Sequence, residues 1–129
     1  MAKESNETKK RLIAHVSGLN EIAAVVTITS SGRSDREARD DCLSAITAHL
    51  MGFDVRRIVV ESCDQDLRDR QIVGDALAAV GRVARVEIVH HRASDEPLLW
   101  LPDIVAWAFG KSAAWKSRIS RIQIHEIRI

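Results

Sequence analysis

Glu96-Pro97-Leu98-Leu99-Trp100-Leu101-Pro102-Asp103-Ile104-Val105-Ala106-Trp107-Ala108-Phe109 carries most of the large apolar side chains of the C-terminal third, with one acid, Asp103, in its middle. Read as a helix from Pro97, at about 100° per residue, it sets Leu98, Leu101, Val105 and Ala108 on one face. Trp100, Ile104 and Trp107 form a second apolar face. A helix apolar nearly all round is a buried helix, and Trp107 is expected to pack against a sheet. An ionised carboxylate at its centre then needs partners or a metal. A second reading stands beside this one. Pro102 disfavours the αR region for Leu101, so the helix would begin at Pro102 as an N1 proline. Asp103 would then lie in the first turn, where its charge meets the positive end of the macrodipole.

Upstream, helical and extended patterns alternate. Residues 1–8 are polar and expected to fray. Lys9 to Val16 reads as a short helix closed by Gly18. Glu21 to Thr29, with Ile22, Val25, Val26 and Ile28, is β-branched and nearly continuous in apolar character, which suits a strand covered on both faces. Ser30-Ser31-Gly32-Arg33 is a turn. Ser34 and Glu37 form a capping box for a helix from Asp35 to Met51. Val55 to Glu61 is the second strand. A helix from Asp66 to Val80 is expected to turn Leu67, Ile72, Leu77 and Val80 inward and to stop at Gly81. Val83 to His90 alternates as a strand. After the Glu96–Phe109 helix, Lys111 to Arg118 reads as a short basic helix anchored by Trp115, and Arg121 to Ile129 as a last strand. Such alternation predicts an α/β fold, a mostly parallel sheet covered by helices, in one domain spanning residues 1–129.

Composition narrows the function classes. The chain has 129 residues, a net charge of +1, 46% hydrophobic and 29% charged residues, ordinary globular usage with no global pull toward nucleic acid or membrane. No apolar run reaches transmembrane length. The polar N-terminus has no signal-peptide core, so a cytoplasmic protein without membrane contact is expected. Cys42 and Cys63 read as buried reduced thiols, since no CxxC or Cys/His spacing of a zinc site occurs. Glycine-rich phosphate loops, GxSxG and HExxH are missing.

Glu61, Asp64 and Asp103 are the candidate site. Glu61 ends a central strand and Asp64 follows it, and in open parallel sheets ligands gather at the carboxyl ends of strands. Together with Asp103 they would offer hard oxygen ligands for Mg²⁺ or Mn²⁺ and serve phosphoryl transfer. Solvated turn acids are the competing reading. His90 and His91, at a strand end, read either as a base or metal ligand or as a surface pair. Arg33, Arg36, Arg39, Arg56, Arg57, Arg68 and Arg70 could meet nucleic-acid phosphates. Interleaved acids make them equally a solvated helix face.

Two segments carry a family resemblance: Val59-Val60-Glu61-Ser62-Cys63-Asp64-Gln65-Asp66-Leu67-Arg68-Asp69-Arg70, then, after His90, Glu96 to Trp107. Over roughly residues 10 to 120 the chain resembles an uncharacterised actinobacterial family. That family is similar to a broader prokaryotic domain of unknown function with a ribonuclease-H-like fold. The resemblance implies acids on a first strand, near a middle strand end and on the last helix. Glu61 matches the middle one and Asp103 the last. The first strand and its hairpin have no counterpart here, so the resemblance implies a scaffold shortened at its N-terminus and lacking one metal ligand. Two functions follow as expectations. One is a non-catalytic or partner-dependent interaction module, which meets another copy or a protein partner through an exposed strand edge. The other is an Mg²⁺- or Mn²⁺-dependent nuclease-like phosphodiesterase using Glu61 and Asp103 as catalytic residues, with Asp64 as a further ligand.

Overall fold

The computed structural model describes residues 4–18, 23–29, 32 and 34–129. Glu21, Ile22, Ser30, Ser31 and Arg33, read above as strand and turn residues, lie outside the described residues. The chain forms two compact units, Met1–Val26 with Pro97–His125, and Thr27–Glu96 with Glu126–Ile129. Helices and strands are mixed throughout, as an α/β pattern requires. The described strands form two two-stranded sheets rather than one mostly parallel sheet. Strand β1 (Ala23–Ile28) pairs with β4 (Gln123–Arg128), and β2 (Arg57–Glu61) pairs with β3 (Glu87–His91). No helix among the described residues is long and apolar enough to cross a membrane.

The first unit is built on apolar burial. Helix α1 (Asn6–Ser17) begins earlier than its apolar residues suggest because Ser5 caps it, its hydroxyl accepting from the Thr8 N–H. Helix α4 (Trp100–Lys111) begins at neither proline. Pro97–Leu99 forms a 3-10 turn, and Pro102 is the third residue of α4, where a backbone N–H has no intrahelical acceptor in any case. Asp103 is exposed in the first turn, as a helix-dipole partner would be. The helix is not buried all round. Ile104, Val105 and Ala108 join Ile13, Val16, Ile119 and Ile122 in one core, whereas Leu98 and Trp100 are exposed. Trp107 is half-buried. It meets Trp115 of α5 (Ala113–Ser117) edge-on at 4.8 Å, and the Lys9 ammonium lies 4.2 Å from its ring centroid.

The second unit places two helices beside a parallel strand pair. In α2 (Asp35–Leu50) the capping box is complete: the Ser34 hydroxyl accepts from the Glu37 N–H, and the Glu37 carboxylate accepts from the Ser34 N–H. Helix α3 (Asp66–Ala79) packs against α2. Gly81 follows with φ +70°, a left-handed position that suits a residue without Cβ at a helix end. The expected strand from Val83 is shorter. Val83–Arg85 is a 3-10 turn, and pairing with β2 starts only where the Glu87 N–H donates to the Arg56 carbonyl. The apolar core is small, made of Met51, Val73, Leu77 and Val86 with Ile58 and Ile88 packed on it. The inward face of α3 differs from the one expected. Leu67 is 89% exposed and Val80 is exposed, while Val73 and Leu77 are buried.

Candidate functional site

Strands β2 and β3 run parallel in the register Ile58↔Ile88, Val59↔Val89, Val60↔His90 and Glu61↔His91. Beyond their carboxyl ends the chain turns through Ser62–Gln65 into α3. Asp66, the first residue of that helix, ties the turn together. One carboxylate oxygen accepts from the Ser62 hydroxyl at 2.6 Å and the other from the Cys63 N–H at 2.7 Å. These two bonds, the hydroxyl's foremost, hold the Asp66 carboxyl below the usual carboxylate range, with His90 adding a smaller effect.

One turn further along α3, Asp69 is fully buried. Its Oδ2 accepts from Arg39 Nη2 of α2 at 2.6 Å, and that bond raises the Arg39 pKa against the cost of burial. The Cys63 sulfur sits in the same place, 3.7 Å from Asp69 Oδ2, 3.6 Å from Arg39 Nη2 and 3.4 Å from the Gln65 backbone nitrogen. His90 reaches in from β3. Its side chain is 9% exposed, and Nδ1 lies 3.5 Å from Asp66 Oδ1. Neither ring nitrogen of His90 makes a hydrogen bond, nor does Asp69 Oδ1. Among the described residues, the thiol of Cys63 and the carboxylates of Asp66 and Asp69 form a group whose ligand atoms lie within 4.8 Å of one another.

A second ion pair flanks this cluster. Arg68 Nε and Nη2 both donate to Asp40 Oδ2, which lowers the Asp40 pKa and raises that of Arg68. Asp40, Asp41, Asp75 and Arg68 line a groove of about 390 Å³ between α2 and α3.

The residues expected to form the site sit elsewhere. Glu61 is the exposed last residue of β2 and Asp64 is exposed in the turn. Both belong to the second unit and lie outside the Cys63–Asp66–Asp69 group. Asp103 belongs to the first unit. The reading of His90 and His91 as a surface pair fails, because His90 turns inward toward Asp66. His91 stays half-buried, with Nε2 3.5 Å from Arg57 Nη2. Neither cysteine is in a disulfide. Cys42 is half-buried and Cys63 exposed, so the expectation of two buried thiols is corrected. Arg39, expected either to meet phosphates or to lie on a solvated mixed-charge face, instead pairs with the buried Asp69. The overlooked signal is periodic: Asp69, Val73 and Leu77 stand at i, i+4 and i+8, so the buried stripe of α3 runs through an acid.

The pair also has an open edge. The Ser62 N–H donates to the His91 carbonyl at 2.7 Å and the Glu87 N–H to the Arg56 carbonyl at 2.9 Å. In a parallel ladder this fixes the even-numbered residues of β2 as the ones that bond to β3. The backbone groups of Arg57, Val59 and Glu61 face the other edge, and among the described residues β2 is paired with β3 alone.

The arrangement is that of a small α/β unit with a polar, partly buried cluster at the carboxyl end of parallel strands. No family model, curated protein or solved structure matches the chain.

Proposed function

We propose that the chain is an interaction module, with no chemistry of its own, on a scaffold of ribonuclease-H-like descent. The edge of β2 at Arg57–Glu61 accepts an extended segment of a protein partner or of a second copy. The supporting observation is the open edge itself. Three successive outward residues leave their N–H and C=O groups without a ladder partner among the described residues, and such an edge is a template for an added strand. Main-chain hydrogen bonds would supply affinity, and the alternating Arg57, Val59 and Glu61 side chains would supply selectivity.

The test is a proline on the outward register. Val59 directs its N–H away from β3, so Val59→Pro removes an edge donor and spares the β2–β3 ladder. Val60→Pro removes a ladder bond and should unfold the unit. Sedimentation across a concentration series reads self-pairing directly. Wild type is expected to associate, Val59→Pro to remain monomeric, and both to share the same far-UV spectrum. Equal association of the two would sink the strand-edge reading.

A second reading has one observation in its favour. Glu61 and Asp64 are both exposed at the carboxyl end of a parallel pair, where hard oxygen ligands could hold Mg²⁺ or Mn²⁺ against a nucleic-acid phosphodiester. A nuclease screen with each metal, run on wild type, Glu61→Ala and Asp103→Ala, decides it. Cleavage by wild type that either substitution abolishes would favour the enzyme over the module.

A further inference from the structure

We infer that Cys63, Asp66, Asp69 and His90 form a site for a zinc-like divalent cation, distinct from any Mg²⁺ or Mn²⁺ chemistry at Glu61. Three of these side chains already converge, their ligand atoms within 4.8 Å of one another. The fourth supplies an independent observation. His90 is nine-tenths buried, faces Asp66, and has no hydrogen bond at either ring nitrogen. A buried imidazole in that state carries an unmet demand for a partner. Asp69 repeats the pattern: it is fully buried, and its Oδ1 is without a hydrogen bond while Oδ2 is held by Arg39.

Two of the spacings are close to those around one small ion. On a tetrahedral zinc, a nitrogen and an oxygen ligand stand about 3.4 Å apart and a sulfur and an oxygen about 3.6 Å apart, from the usual bond lengths. His90 Nδ1 to Asp66 Oδ1 is 3.5 Å. Cys63 Sγ to Asp69 Oδ2 is 3.7 Å. The donor set, one thiolate, one imidazole and two carboxylates, is borderline-soft and suits zinc better than magnesium or calcium. The charges close as well. A thiolate and two carboxylates carry three negative charges, and Arg39 with a divalent cation carries three positive ones. Arg39 holds Asp69 Oδ2, the oxygen that faces the Cys63 sulfur, so the ion would draw on the unpartnered Oδ1 of the same carboxylate while Arg39 orients the residue as an outer-shell partner does. On binding, the Cys63 thiol releases its proton to solvent as the sulfur–metal bond forms. No group changes oxidation state.

The experiment is a titration of the full chain with Co²⁺, followed by displacement with Zn²⁺. One equivalent of Co²⁺ is expected to give a thiolate-to-cobalt charge-transfer band and the intense visible absorption of four-coordinate cobalt. Zn²⁺ should erase both. Cys63→Ser removes the charge-transfer band, and because Cys63 is exposed the variant keeps its fold. His90→Gln weakens Zn²⁺ competition at least tenfold, while Asp64→Ala leaves it unchanged. The absence of a charge-transfer band in wild type overturns the site. So does a band that survives Cys63→Ser, or a zinc affinity indifferent to His90→Gln, which would mark adventitious binding at an exposed thiol.

Discussion

The two units of this chain solve the same problem with different materials. The first buries seven apolar side chains from α1, α4 and the segments that follow α4 in a single cluster. Among its described residues one charge is buried, Lys9, which lies against a tryptophan ring. The second buries four apolar residues and gives the remaining interior to Thr47 and Asp69. Thr47 meets its own helix, its hydroxyl donating to the Leu43 carbonyl at 2.7 Å. Asp69 draws in Arg39, Cys63 and, through Asp66, His90. Buried ionic groups are weak contributors to stability compared with apolar side chains of similar volume. A small unit that commits interior space to them is therefore the place to look for binding, and the apolar unit is the scaffold.

The largest expected effect tests the scaffold half of this contrast. Ile104 is 1% exposed at the centre of the first core. Ile104→Ala should cost about 2–5 kcal/mol in a urea titration, the loss of buried methylenes plus the cavity left behind. A cost below about 1 kcal/mol would show that the first unit does not rest on that cluster.

The next effect tests the polar half. Arg39→Ala leaves Asp69 buried without its cation. The expected cost is about 2–4 kcal/mol, below that of a fully buried pair because Arg39 is 43% exposed and water screens part of the interaction. Asp69→Asn leaves Arg39 free to turn to solvent and should cost only about 1 kcal/mol. Equal costs, measured by the same titration, would mean that the pair is an ordinary surface contact.

The smallest effect concerns pH. The folded-state pKa of Asp66 is depressed, chiefly by the Ser62 hydroxyl. Its contribution is fully present above the ordinary carboxylate value of about 4 and is lost as pH falls through the folded value. Melting curves of wild type and Asp66→Asn should therefore converge on acidification below about pH 4. A gap that stays constant with pH would assign the Asp66 bonds no role in stability.

What could be read from the sequence was local. Ser34 and Glu37 announce a helix start because both bonds of the box close within three residues. Gly81 marks the end of α3 because the backbone turns left-handed there. The helix–strand alternation followed from periodicity. What could not be read depended on distant partners. Asp69 resembles a surface acid until Arg39, thirty residues earlier on α2, is brought to it. Leu67 resembles a core residue, yet the phase of α3 is set by Val73 and Leu77 against α2 and leaves Leu67 outside. Trp107 was expected to be buried against a sheet; it is half-buried on the first core and also meets Trp115 edge-on, a contact between two helices that a single helical wheel does not contain. Glu61, Asp64 and Asp103 stand at or near strand and helix ends, whereas the acids that converge on Cys63 are Asp66 and Asp69 of α3.

The central claim, that β2 offers an open edge beside this cluster, is tested most directly by residue-resolved amide hydrogen exchange on the dilute chain. Protection should alternate along β2. Ile58, Val60 and Ser62 donate toward β3 and should exchange slowly, whereas Arg57, Val59 and Glu61 should exchange at least a hundredfold faster, as unpaired edge amides do, on the order of the gap between frayed and core sites. Uniform protection from Arg57 to Glu61 would contradict the account, since it would require a partner already seated on the edge proposed to be open.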